Sequence, residues 1–254
     1  MQTSTFARPC RLGAFLDWLY PPRCRSCRDG ILARDEECVC AACRLRIRLV
    51  AHPLCQICGR PFPDAAGEDH ECAACLTREP HFSKARAWAF YPRGESPDDP
   101  VRVMVQKFKY GRKISLGKPL GRIMAAACYE EFRNDNLDCI VPVPLHPKRL
   151  RWRGFNQAVV LGKELSRAWH VPIDPFVLVR TRPTVPQTEL REEERRKNVR
   201  GAFAVDDGAS LENKTLLLLD DVYTSGATVN ECARALRRAG AKAVHVLTLA
   251  RTES

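Results

Sequence analysis

The apolar positions of this chain change texture near residue 80. Before that point they are scattered among cysteines, prolines and arginines with little period. From Lys84 on they fall into blocks. KARAWAFYP (84–92) reads as a strand, and DDPVRVMVQKFKYG (98–111) as a helix capped by Asp98 or Asp99 and stopped by Gly111. LGKPLGRIMAAACYEEFRN (116–134) predicts a second helix, DCIVPVPL (138–145) a short buried strand, and GFNQAVVLGKELSRAWH (154–170) a third helix. VPIDPFVLVRTR (171–182) gives a strand and a turn. TLLLLDD (215–221) is a strand, SGATVNECARALRRAG (225–240) a helix ending at Gly240, and AKAVHVLTLAR (241–251) a closing strand. Strands alternating with helices predict a parallel, doubly wound sheet. Upstream, residues 11–20 predict a short amphipathic helix ended by Pro21-Pro22.

The aperiodic stretch has its own order, carried by cysteine. Of thirteen cysteines, eight form four Cys-x-x-Cys pairs: Cys24/Cys27, Cys40/Cys43, Cys55/Cys58 and Cys72/Cys75. Two such knuckles about a dozen residues apart can converge on one tetrahedral ion, so eight thiolates suit two Zn²⁺. Sequential pairing is the default and interleaving stays open; Cys38 is an alternative to Cys40. Four thiolates leave no open coordination position, which makes the zincs structural. The N-terminal apolar stretch is broken by Arg8, Arg11 and Asp17, and no run reaches the roughly 18 apolar residues of a membrane span. The expectation is a reducing, cytoplasmic setting. Three segments follow: 1–22, an amphipathic lead; 23–80, the metal module; and 81–254, the α/β domain.

The chemistry concentrates at Leu216–Thr228, LLLLDDVYTSGAT. Four leucines suit a central strand covered on both faces, and ligands of open α/β sheets bind beyond the carboxyl ends of such strands. Asp220 and Asp221 stand at that end. Tyr223, Thr224, Ser225, Gly226, Ala227 and Thr228 then open a helix, where free N–H groups and small hydroxylic side chains make an anion cradle. Carboxylates beside a phosphate cradle suit the vicinal hydroxyls of a sugar phosphate.

This segment resembles the ribose-phosphate signature of type I phosphoribosyltransferases. The wider chain resembles the ComF family of competence proteins in its Cys pairs, FKYGRK (108–113), VPVPLHPKRLRWRGFNQA (141–158), PQTELREEERRKNVRGAF (186–203) and LTLAR. The fold implied is α/β: an N-terminal double zinc ribbon followed by a type I phosphoribosyltransferase-like parallel-sheet domain. The resemblance implies that Asp220 and Asp221 accept from ribose hydroxyls and that the Tyr223–Thr228 loop holds a 5′-phosphate. It places the loop after Val141-Pro142-Val143-Pro144 near pyrophosphate, with an unusual peptide bond there. Gln187, Arg196 and Asn198 match a mobile lid, and Lys109 matches a further family block.

Charge bears on partners. The formal net charge is +11, which favours polyanions. Arg149 and Arg153, in a basic loop with Lys148 and Arg151, are candidates for pyrophosphate. The stretch from Arg180 to Arg200 reads as a long charged loop, with a surface helix as the rival reading. In the metal module, Arg44, Arg46 and Arg48 alternate with leucine and isoleucine and predict a strand with one basic face suited to single-stranded DNA. Three functions compete. The first is a DNA-uptake factor that binds phosphoribosyl pyrophosphate and works with a competence helicase. The second is an active Mg²⁺-dependent phosphoribosyltransferase with an unknown acceptor. The third is a regulator that senses phosphoribosyl pyrophosphate.

Overall fold

The computed structural model describes residues 21–32, 38–64, 66–92, 94, 96–184 and 192–253, so the helix expected at 11–20 lies outside the described residues. Four parallel strands form the main sheet: β1 (Lys84–Tyr91), β2 (Cys139–Pro142), β5 (Thr215–Tyr223) and β6 (Ala243–Thr252), in the order β1-β6-β5-β2. β5 lies inside the sheet, and Leu216 to Leu219 are fully buried on both faces. That satisfies the apolar run and sets Asp220 and Asp221 at the strand's carboxyl end.

Helices cover both faces. α3 (Pro100–Lys109) starts with Pro100 in its first turn and with the Asp99 side chain accepting from Arg102 N–H at 3.0 Å. Its buried Val101, Met104, Val105 and Phe108 follow the i, i+3, i+4, i+7 stripe that drives an amphipathic helix onto a core. α4 (Gly117–Phe132) and α6 (Gln157–Trp169) join it on one face, and α8 (Ala227–Arg238) packs on the other. The strand expected within 171–182 is cut short. Ile173 makes a single parallel bridge to Ile140 of β2; Pro175, which has no N–H to donate, follows two residues on. The chain pairs again only as β3 (Leu178–Arg180), antiparallel to β4 (Phe203–Val205), in a separate ribbon.

The metal module is seated on this sheet. Residues 48–50 line the outer edge of β1: Val50 N–H donates to Trp88 C=O (3.1 Å), and Phe90 N–H to Arg48 C=O (2.9 Å). Cysteines 24, 38, 40 and 43 share the core with α3, α4 and α6, whereas cysteines 55, 58, 72 and 75 share the core with α8. His52 bridges the Asp69 carboxylate (2.8 Å) and Glu131 of α4 (2.7 Å), and Glu131 also accepts from Arg86 Nε (2.6 Å). The basic-faced strand expected across Arg44–Leu49 does not form. Cys40 instead occupies the N-cap of a short helix, α1 (Ala41–Leu45), because the Cys-x-x-Cys knuckle bends the chain there.

Gly59 brings the second knuckle against the sheet. Its φ is +67°, and a Cβ built on it would lie 2.3 Å from Ala85 C=O of β1. Gly59→Ala is expected to lower stability by about 3 kcal/mol or more in urea unfolding with zinc kept in excess. A change within about 0.5 kcal/mol would mean that this knuckle does not rest on β1.

Candidate functional site

The two cysteine quartets form in sequential order, Cys24/27/40/43 and Cys55/58/72/75, with the sulfurs of each set within 4.8 Å of one another. A Zn–S bond of about 2.3 Å in a tetrahedron implies sulfurs about 3.8 Å apart. Cys27 and Cys40 Sγ are 4.0 Å apart and Cys58 and Cys72 Sγ 3.7 Å, so the donor sets fit zinc. Cys40, not Cys38, completes the first set. The quartets repeat one device. Cys40 N–H donates to Cys24 Sγ at 3.4 Å, and Cys72 N–H to Cys55 Sγ at 3.3 Å. Burial opposes these thiolates, but the backbone donors outweigh it and lower Cys24 to about 6 and Cys55 to about 7.

At the end of β5, Asp221 is buried and ion-paired with Lys109 Nζ at 2.7 Å. Burial works against the lysine's charge, but the Asp221 carboxylate outweighs it and holds the ammonium above its usual range. Asp220 accepts from Asp221 N–H at 2.8 Å. Burial, reinforced by the Asp221 charge, pushes the Asp220 carboxyl up to about 7. Lys109 and Arg180 pull it the other way. The structure thus brings Asp220, Asp221 and Lys109 together. Arg153, itself buried, has its charge close enough to feel both acids, and Arg149 is close enough to repel both Arg153 and Arg180.

Arg149 and Arg153 lie on a helix, where a loop was expected. α5 (Pro147–Arg153) has Pro147 at its start and a His146 cap, and Gly154 closes it at φ +86°. Its charged sequence carries almost no apolar stripe, so the periodicity was invisible. Gly154 and Asn156 shape the turn: Asn156 donates to Val143 C=O (2.9 Å) and caps α6 through Ala158 N–H (3.0 Å). The bonds before Pro142 and Pro144 are trans, contrary to the unusual peptide bond expected there; His52–Pro53 is the cis bond among the described residues.

Tyr223 to Ala227 turn from β5 into α8, with Gly226 at φ +75° as N-cap and no side-chain cap hydrogen bond. A Cβ on Gly226 would meet Tyr223 Oη at 2.3 Å, so glycine is required by both conformation and space. The turn lines a cavity of about 830 Å³ whose far walls are the second zinc knuckle (Cys58, Arg60, Cys75, Arg78) and Arg195 to Arg200. Eight lysines and arginines line it against one acid, Glu231, which is tied to Arg234 and to Gly201 N–H (2.6 Å). That excess selects anions. Asp220, Asp221 and Thr228 do not line this cavity.

The lid expectation divides. Gln187 lies outside the described residues. Arg196 and Asn198 sit on a helix, α7 (Glu192–Val199), as in the rival reading of that stretch, and Arg196 lines the cavity. Acids lead and bases follow along α7, which complements the helix dipole. Val199 is buried, and Arg182 donates to Arg200 C=O at 2.6 Å. Sequence reasoning missed Arg60, Arg78, Arg234 and Arg251 on the cavity wall. Arg251 stands out: its NH1 donates to Cys58 C=O (2.9 Å) and its guanidinium lies 5.3 Å from the Tyr223 ring centroid. LTLAR was a visible block, but nothing local in it signals that contact.

The double zinc ribbon domain family matches residues 15–76, and the phosphoribosyl transferase domain family matches residues 156–254. The chain is 30% identical over 233 residues to competence protein F of Haemophilus influenzae, covering 90% of this chain and 96% of that one. It is 32% identical over 235 residues to DNA utilization protein YhgH of Escherichia coli, covering 91% and 98%. Competence protein ComFC of Bacillus subtilis is 25% identical over 89% of both chains. Among solved structures, glutamine phosphoribosylpyrophosphate amidotransferase of B. subtilis matches 59% of this chain and 27% of its own at 21% identity and TM-score 0.34. Purine phosphoribosyltransferase of Pyrococcus horikoshii matches 53% and 85% at 15% identity and TM-score 0.36.

Metal analysis of the purified protein should give two zinc ions per chain, and Cys55→Ser should lower that toward one; a ratio unmoved by the substitution would remove the second site. The carboxyl of Asp220 supplies a pH test. Its folded pKa is raised, so the folded state keeps a proton that the unfolded state has released. That contribution is full below the unfolded value near 4 and is lost as pH rises through about 7. Urea unfolding without ligand should show wild type losing stability relative to Asp220→Asn between about pH 4 and about pH 7. A constant gap across that window would refute the shift.

Proposed function

Because the chain belongs to the family of competence protein F and DNA utilization protein YhgH, we propose that it serves DNA uptake in the cytoplasm, handling incoming single strands alongside a competence helicase. Phosphoribosyl pyrophosphate is then the ligand of its phosphoribosyltransferase domain. The observation that carries the ligand assignment is the junction of β5 and α8. There two carboxylates and an uncapped, glycine-hinged helix start stand within a few residues, beside a cavity rich in arginine.

In this reading Asp221, ion-paired with Lys109, accepts from the ribose hydroxyls, and Asp220 shares that task. The N–H groups and hydroxyls of Thr224, Ser225 and Thr228 take the 5′-phosphate at the positive end of α8. Arg149, Arg153 and Arg180 face the pyrophosphate with charge-assisted donors. Arg196 and Asn198 stand on α7 at the rim. Oxygens of the two aspartates and of the ligand itself suit Mg²⁺, which would neutralise the pyrophosphate charge. The zinc ions hold the wall of the cavity and take no part in the chemistry.

One observation also favours an active transferase. Beyond the phosphate turn the cavity extends to the second zinc knuckle, which leaves room for an acceptor. Release of pyrophosphate with a nucleobase or amine would establish catalysis. Binding without release under any acceptor would favour a sensor.

Calorimetric titration with phosphoribosyl pyrophosphate and Mg²⁺ should show binding to wild type and a loss of most of the affinity, about tenfold or more, in Asp221→Ala. Equal affinity in both would refute the site. Deleting the gene in a competent host should sharply lower transformation; undiminished transformation would end the uptake reading.

A further inference from the structure

An aromatic pair stands exposed on the phosphoribosyltransferase domain. Tyr110 is 56% exposed and Trp152 50% exposed, although one follows α3 and the other lies in α5. Their ring centroids are 6.4 Å apart and the planes meet at 59°, so the two rings form a notch. Each ring has a guanidinium against it: Arg153 lies 5.6 Å from the Tyr110 centroid, and Arg112 lies 5.3 Å from that of Trp152. Arg153 is buried and backs Tyr110 from within, while Arg112 is exposed.

Single exposed aromatics are ordinary on protein surfaces. Two from separate elements, tilted against each other with an arginine on each ring, are not. The electrostatic setting is one-sided as well. Neither 100–129 nor 139–163 contains an Asp or Glu, and around the notch stand the exposed Arg112, Lys113, Lys148 and Arg151. Stacking surfaces set in a field of phosphate-binding cations are what single-stranded nucleic acid needs. Every base offers a π face, and the backbone supplies the charge. A duplex hides its base faces and cannot use the notch.

We propose that Tyr110 and Trp152 form a base-stacking site for single-stranded polynucleotide, with Arg112, Lys113, Lys148 and Arg151 holding the flanking phosphates. This rests on the DNA-handling reading and deepens it, because it moves the strand-binding surface from the zinc module to the phosphoribosyltransferase domain. The site also adjoins the ribose-phosphate residues in sequence, since Lys109 precedes Tyr110 and Arg153 follows Trp152. A bound strand would therefore lie beside the ribose-phosphate site.

The test is fluorescence anisotropy on the full zinc-loaded chain, with labelled oligo-dT and oligo-U of about 15 nucleotides and an abasic deoxyribose-phosphate oligomer of equal length. Wild type should favour the based oligomers over the abasic one. Trp152→Ala should weaken the based oligomers about tenfold, leave abasic binding and phosphoribosyl pyrophosphate binding unchanged, and be largely rescued by Trp152→Phe. A preference for dT assigns DNA and a preference for U assigns RNA; either supports the site. Wild-type binding that Trp152→Ala leaves untouched would overturn the stacking site alone and give the rings to a protein contact. Wild type that ignores every oligomer at low salt would overturn both this site and the DNA-handling reading.

Discussion

Among the contacts that join the two halves of this molecule, one buried guanidinium reaches both the second zinc knuckle and the turn after β5. Arg251, at the end of β6, is 4% exposed. It donates to the carbonyl of Cys58 in the second zinc knuckle and lies against the Tyr223 ring at the start of the glycine turn after β5. A buried charge is tolerated only where donors and acceptors are arranged for it. Here the Cys58 carbonyl takes NH1 and the Tyr223 ring faces the guanidinium, while its buried Nε has no hydrogen-bond partner. The zinc ion orders the knuckle, the knuckle presents the carbonyl, and the carbonyl helps fix the arginine that packs on the turn. The cavity wall and the ligand turn are thus parts of one arrangement.

How much of this could be read from residues alone depended on range. The segment Leu216–Thr228 was legible because strand burial, the two acids and the glycine turn are all encoded within thirteen consecutive positions. The zinc quartets were legible because knuckle spacing is local; only their pairing needed coordinates. The basic helix α5 was hidden, since a helix made largely of arginine and lysine lacks the apolar stripe on which recognition depends, and for the same reason α7 was legible only as the rival to a loop. Arg251 and Cys58, 193 residues apart, lay beyond any local signal. The same holds for the cavity, whose walls come from the second knuckle, α7, α8 and β6.

The acids at the end of β5 show how function and fold compete for the same groups. Asp221 is ion-paired with Lys109. Asp220, one residue away, is left with burial and a like charge and rises toward neutrality. The two adjacent carboxylates sit in different surroundings, one ion-paired and the other raised by burial, an asymmetry that a pair of identical letters does not reveal. The surrounding arginines keep the local balance positive, so an incoming anion meets attraction before it meets the carboxylates.

The contact between residues 48–50 and β1 has a consequence for how the two modules can be separated. On the β1 side the sheet is covered by a segment of the other module, through Arg48 and Val50, while β2 forms the opposite edge. Remove that segment, and the peptide groups of Trp88 and Phe90 that it satisfies are open to the first complementary strand in solution. The C-terminal half produced on its own would therefore present a sticky edge.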